Sequence, residues 1–283
     1  MPIHIDNNIP PLYLNLTSDD YTSEMNTVGS HFSFDLSQSV EISDNVDAWL
    51  SVENFKFTNS FYNINRYNNV FYYGLASGGY SQNTVTIPQK NYNISSLVSY
   101  LNTNVANGFV FSYDETTLKM TITNSEEFRL FAGANNVLKV LGFSNTLQQS
   151  VSNVLTSNNV VNLLGIQMIY ILINNLSFNS IGVKNSTRQL KNTLINIPVT
   201  AIQGDAQLYS AQNSNRHKLF DKTISLLEIK IVDENGNEID FNGVSWYLSL
   251  QLVFTYIKEN KAFKDFDDTA VPKENEGGQR QKK

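Results

Sequence analysis

Residues 223–256 read TISLLEIKIVDENGNEIDFNGVSWYLSLQLVFTY, and the alternation in this stretch decides the fold. In its first run Leu227, Ile229 and Ile231 fall on one side and Glu228 and Lys230 on the other. That is the period of two of a half-buried strand. In the second run Trp246, Leu248, Leu250, Leu252, Phe254 and Tyr256 share a side, while Tyr247, Ser249, Gln251 and Thr255 take the alternate positions. Asp233 to Gly236 and the Asn242-Gly243 pair lie between them, residues that tolerate positive φ and bond their own backbone. The stretch predicts two long antiparallel β segments that form part of a sandwich core.

The same period appears upstream. Phe32, Phe34 and Leu36 alternate with Ser33, Asp35 and Ser37, and a turn is expected at Ser43 to Asn45. From Ala48 to Phe57 the apolar positions Trp49, Leu50, Val52, Phe55 and Phe57 change phase midway, which predicts a β-bulge. Shorter strands are expected at Val70 to Tyr73, Thr84 to Ile87, Thr193 to Val199 and Gln207 to Ala211, and one continuous apolar strand over Val160 to Ile173. About eight long strands with regular turn signals predict a mainly β chain built as a single jelly-roll β-sandwich, with a closed barrel as the alternative.

Between Asn91 and Phe143 the period changes. Ile94, Leu97, Val98, Leu101 and Val105 stand at helical spacing, with Asn93 or Ser95 as N-cap and Gly108 as the stop. Two strands at Phe109 to Tyr113 and Thr117 to Thr123 follow, then a third at Phe128 to Phe131 and a short helix closed by Gly142. The expected organisation is an N-terminal arm at 1–28, a discontinuous jelly roll at 29–87 and 146–258, a small α+β insertion at 88–145 and a disordered tail at 259–283. Ser144 to Asn159 reads as a polar linker.

Composition narrows the function. The chain has no cysteine, which removes disulfides, thiolate catalysis and Cys-rich metal sites. A net charge of -6 argues against nucleic-acid specificity, because phosphate neutralisation needs a basic surface. The first residues show neither the basic start nor the apolar run of a signal peptide, and Leu163 to Ile173 is about half a membrane span, so a soluble protein made in a cytosol is expected. Charged residues are only 16% while aromatics reach 12%, a surface suited to packing against neighbours.

No constellation predicts chemistry. His4, His31 and His217 fall in an arm, at a strand start and in a polar loop, with no G-x-S-x-G elbow and no phosphate loop. Asp233-x-Asn235-x-Asn237 begins like a calcium loop, but Glu238 and Val244 stand where that loop needs glycine and glutamate, so a turn is expected. Glu228 with Asp240 is the candidate carboxylate pair for sugar hydrolysis, yet Glu228 alternates with a buried row. The aromatic group Phe55, Phe57, Phe61, Tyr62, Phe71, Tyr72 and Tyr73 reads as core plus subunit contact before it reads as a stacking platform. The expectation is a protein that is not an enzyme, with no catalytic, cofactor or metal site.

Several words in order carry a family resemblance: N-S-F-Y-N-I at 59–64, I-P-x-x-x-Y-x-I-x-x-L at 87–97, L-G-F at 141–143, I-P-V-T-A-x-x-G-D at 197–205, and L-x-I-x-I-V-D-E-N-G-N-E-I-D-F-N-G-V-x-W-x-L-x-L-x-L at 227–252. Together they resemble the minor capsid, or penton, proteins of virophages and Polinton (Maverick)-type viruses, over about residues 30–257. The resemblance implies a virion protein assembled in the host cytoplasm as a homopentamer at the fivefold vertices of an icosahedral capsid. Its neighbours would be double-jelly-roll major capsid proteins, its insertion would point outward, and no catalytic residue would carry over. The alternative is a fibre- or adhesin-like head that binds a host receptor or a giant-virus surface glycan.

Overall fold

The computed structural model describes residues 3–4, 10–24, 29–179, 184–185, 188–189, 192–211 and 215–257. The chain opens with β1 (Ile3–His4), β2 (Leu12–Thr17), β3 (Ser23–Glu24), β4 (His31–Glu41) and β5 (Val46–Thr58). A middle segment holds β6 (Val70–Leu75), β7 (Asn83–Thr86), α1 (Ile94–Asn104), β8 (Val110–Asp114), β9 (Lys119–Thr123), β10 (Phe128–Leu130), a 3-10 turn at Val137–Lys139, β11 (Gln148–Gln149) and β12 (Val154–Thr156). β13 (Met168–Ile173), β14 (Lys184–Asn185), β15 (Arg188–Gln189), β16 (Thr193–Pro198), β17 (Ala206–Ser210), β18 (His217–Lys218), β19 (Thr223–Asp233) and β20 (Tyr247–Tyr256) follow.

The chain is mainly β and forms a sandwich, as expected. One sheet runs β1-β4-β19-β13-β16 and the other β17-β5-β20-β2. Phe32, Phe34, Ile171, Leu227, Ile229 and Ile231 of the first and Leu50, Val52, Phe55, Phe57, Leu248 and Leu250 of the second are buried in one shared core. Trp246 sits in this core fully buried, with ring centres 5.7 Å from Phe32 and 6.1 Å from Phe55, and its indole N–H donates to the Gly29 carbonyl at 3.0 Å. It thus touches both sheets while its single polar atom is satisfied.

The predicted bulge is present. Ser249 faces Asn54 and Leu250 faces Val52, so Glu53 is an extra residue in β5. The insertion resets the phase and lets Leu50 and Val52 on one side of it and Phe55 and Phe57 on the other all point inward.

Four expectations are corrected. The two closing runs do not pair with each other: β19 lies between β4 and β13, and β20 between β5 and β2, in opposite sheets. The arm expected at 1–28 contains β2, paired residue by residue with β20 from Leu12 opposite Leu252 to Thr17 opposite Tyr247. Leu12, Leu14 and Leu16 pack on the core there, and the strand covers what would otherwise be an open edge. The boundaries 88 and 145 do not delimit the second unit, whose own core runs from Ile64, Phe71 and Tyr73 through Leu97, Phe111 and Phe128 to Phe143, with Val161 and Leu163 packed against it. Its sheets are β11-β10-β6-β7 and β12-β9-β8, so the expected linker at 144–159 supplies two strands. Finally, Val160 to Ile173 is a strand only over Met168–Ile173, because its apolar residues are shared between two cores. The tail expected at 259–283 lies outside the described residues.

Within the second unit α1 starts on a capping box: the Asn93 side chain accepts from the Ser96 N–H, and the Ser96 hydroxyl accepts from the Asn93 N–H. Leu97 and Leu101 are its buried face. Gly142 adopts φ +83, and a Cβ there would stand 2.2 Å from the Asn159 carbonyl oxygen, so no other residue fits.

Candidate functional site

His31 and His217 are both held in contacts within the fold. His31 places Nε2 2.8 Å from the Glu228 carboxylate, and its Nδ1 lies 3.8 Å from Glu238. Lys230 and Arg66 also reach Glu238, at 3.0 and 3.6 Å. Glu228 accepts from the Asn174 amide at 3.0 Å. That bond first, then His31 and Lys230, hold its carboxyl below the usual glutamate range against the opposing effect of burial. His217 bonds the Leu194 carbonyl at 2.8 Å and rests edge-on against Phe178. The side chain of His4 lies outside the described residues.

The remaining sequence candidates disperse. Asp233 is buried, and its carboxylate accepts from the Asn235 and Asn237 backbone N–H groups and the Asn237 amide, at 2.7, 2.8 and 3.0 Å. The loop is therefore an Asx-type turn. Asp240 accepts from the Asn242 N–H at 2.7 Å, another local turn, while Glu228 is engaged with His31 and Asn174. The aromatic group divides, with Phe55, Phe57 and Phe61 in the sandwich core and Phe71 and Tyr73 in the second core. No group of three or more His, Asp or Glu able to hold a metal occurs among the described residues. None of their helices is long and apolar enough to cross a membrane.

Two features remain. The first is the outer face of the β17-β5-β20-β2 sheet. Its side chains bond one another: Gln251 donates to the Tyr13 hydroxyl at 2.9 Å, Ser249 to the Asn15 amide oxygen at 2.8 Å, and Ser210 to that of Asn54 at 2.8 Å. Tyr13, Tyr247 and Leu208 are at least half exposed on it, and Lys56 lies 6.0 Å from the centre of the Tyr247 ring.

The second is the junction where the chain leaves the sandwich at 59–64 and returns at 163–166. Asn63 is its hub. Its amide nitrogen donates to the carbonyls of Tyr92 and Leu163 at 2.8 and 3.0 Å, and its oxygen accepts from the Tyr92 N–H at 2.9 Å. Asn59 and Ser60 bond the sandwich side, at Ala201 and Phe241. Clefts flank the junction, one of about 360 Å³ and one of about 570 Å³. Sequence reasoning missed this region, although the density of asparagine at 59–69, 133–145 and 158–163 was a visible signal.

No family model matches the chain, and no curated protein is similar to it. Among solved structures, the crystal structure of the selenomethionine-labelled mavirus penton protein superposes with a TM-score of 0.42 at 13% identity, covering 87% of this chain and 100% of that one. At that level the two need share neither detailed fold nor role.

Proposed function

We propose that this chain is a structural minor capsid protein of the penton type. Its sandwich is wound as a single jelly roll, and five copies join at an icosahedral vertex beside double-jelly-roll major capsid proteins. The observation that carries the reading is the outer face of the β17-β5-β20-β2 sheet. Hydroxyl and amide side chains there already satisfy one another across Tyr13–Gln251, Asn15–Ser249 and Asn54–Ser210, so covering the face strands few polar groups. Tyr13, Tyr247 and Leu208 offer exposed aromatic and aliphatic area there, and tyrosine is among the residues enriched at interfaces. In a closed ring this face meets a different face of the next copy. The ordered words of sequence at 59–64, 87–97 and 227–252 support the same role.

Sedimentation velocity and negative-stain imaging of the purified protein test it. Five-membered rings are expected, and Leu208→Glu or Tyr247→Glu should return them to monomers with unchanged melting temperature. A protein that is monomeric at every concentration, or rings indifferent to both substitutions, would refute the reading.

A further inference from the structure

The cleft of about 360 Å³ between the sandwich and the second unit is lined mainly by polar side chains, with Val140 and Ile166 among them, and more than half of its lining positions are asparagine. Most of those amides are engaged in the fold. Asn135, Asn145 and Asn162 on the wall of the second unit are exposed, and their amide donors face the cleft opening rather than another protein group among the described residues. The Asn135 side chain has no hydrogen-bond partner among the described residues. The Asn145 oxygen accepts from Gly133 N–H at 3.4 Å and the Asn162 oxygen from Leu164 N–H at 3.0 Å, which leaves both amide NH₂ groups without a partner among the described residues. The Lys139 ammonium on the same wall forms no ion pair among the described residues. Across the cleft stands Glu234, one carboxylate oxygen of which accepts from Met168 N–H at 3.4 Å while the other is open.

We infer that this cleft binds a neutral saccharide of one or two rings. An anionic ligand would face the open carboxylate oxygen of Glu234, and a cationic one would face Lys139 and three amide NH₂ groups. An apolar ligand would leave all of these donors desolvated, at about 1–3 kcal/mol for each group left without a partner. A sugar hydroxyl both donates and accepts, so vicinal diols match a wall of NH₂ donors opposed by a carboxylate acceptor. The volume lies at the low end of small-molecule sites, roughly 300–1,000 Å³, which limits the ligand to a mono- or disaccharide unit. Because the walls belong to different cores, bound sugar would also tie the two units together.

The test is saturation-transfer NMR on the full chain with methyl glycosides of glucose, galactose, mannose and N-acetylglucosamine and with their disaccharides, with 3′-sialyllactose as the anionic comparison. Transfer from at least one neutral sugar is expected. The combined Asn135→Asp, Asn145→Asp, Asn162→Asp variant keeps each capping oxygen but removes the NH₂ donors, and should weaken binding at least tenfold. Lys139→Met, which breaks no internal bond among the described residues, should weaken it as well, and Asn107→Asp, outside the cleft lining, should not. No transfer from any neutral sugar, transfer that survives in the combined variant, or binding confined to 3′-sialyllactose would overturn the assignment. The outcome is independent of assembly, since a monomer can bind sugar and a ring can fail to.

Discussion

Replacing Asn63 by aspartate changes one NH₂ group into an oxygen and leaves size and shape alone, so it isolates what the junction amide does. Asn63 donates to the Tyr92 and Leu163 carbonyls and accepts from the Tyr92 N–H. Aspartate keeps the last bond, strengthened by its charge by about 1 kcal/mol. It loses both donations, about 1 kcal/mol each, and turns a carboxylate toward two part-buried carbonyl oxygens, which adds about 1–3 kcal/mol. The net cost is about 3 kcal/mol at pH 7. For a chain of this size that corresponds to a melting temperature lower by roughly 6–12 °C. The penalty also has a pH signature. The facing carbonyls favour the neutral acid, so the carboxyl introduced by Asn63→Asp would have a folded pKa above its unfolded value of about 3.9. The variant therefore recovers stability relative to the parent as the pH falls through that window and loses it as the pH rises. Calorimetry of both proteins from pH 3 to pH 7, with hydrogen exchange at the 59–64 and 163–166 crossings, measures the effect. A difference below about 0.5 kcal/mol, within the range of a neutral surface change, or one independent of pH, would refute the role given to this amide.

Other perturbations probe separate parts of the molecule. Glu228 has a depressed folded pKa, so its contribution is present above the ordinary glutamate range and lost as the pH falls below it. Glu228→Gln should flatten the acid limb of the stability curve, and an unchanged limb would show that the Asn174 and His31 contacts do not matter to folding. Gly142→Ala combines a left-handed φ with a clash against the Asn159 carbonyl and should cost about 2 kcal/mol or more in chemical denaturation, chiefly in the second core. Trp246→Ala removes a ring shared by both sheets and should cost about 3–5 kcal/mol, measured by the same denaturation.

Much of the strand content was legible because burial on one face writes a period of two into a strand. Leu227, Ile229 and Ile231, and Leu248, Leu250 and Leu252, point inward as their spacing requires. The bulge in β5 was visible as a change of phase, and α1 as helical spacing behind an asparagine cap. Candidate chemistry was harder to read. Glu228 and Asp240 looked like a pair in the sequence, but Glu228 is engaged by the distant Asn174 and His31 and Asp240 by its own turn, and the asparagines that line the junction come from segments far apart in the chain.

The sequence by itself determined which side of each strand is buried, since alternation is a local property of the chain. Only the tertiary structure decided which sheet a strand joins. Backbone hydrogen bonds are blind to side chains, and both sheets offer the same kind of apolar inner face, so β19 and β20 could be recognised as strands but not assigned to opposite layers. The division between the two cores is of the same kind. Phe71, Tyr73 and Ile87 would satisfy either core, and they belong to the second because β6 and β7 pair with each other and β6 with β10, a choice made by contacts distant in sequence.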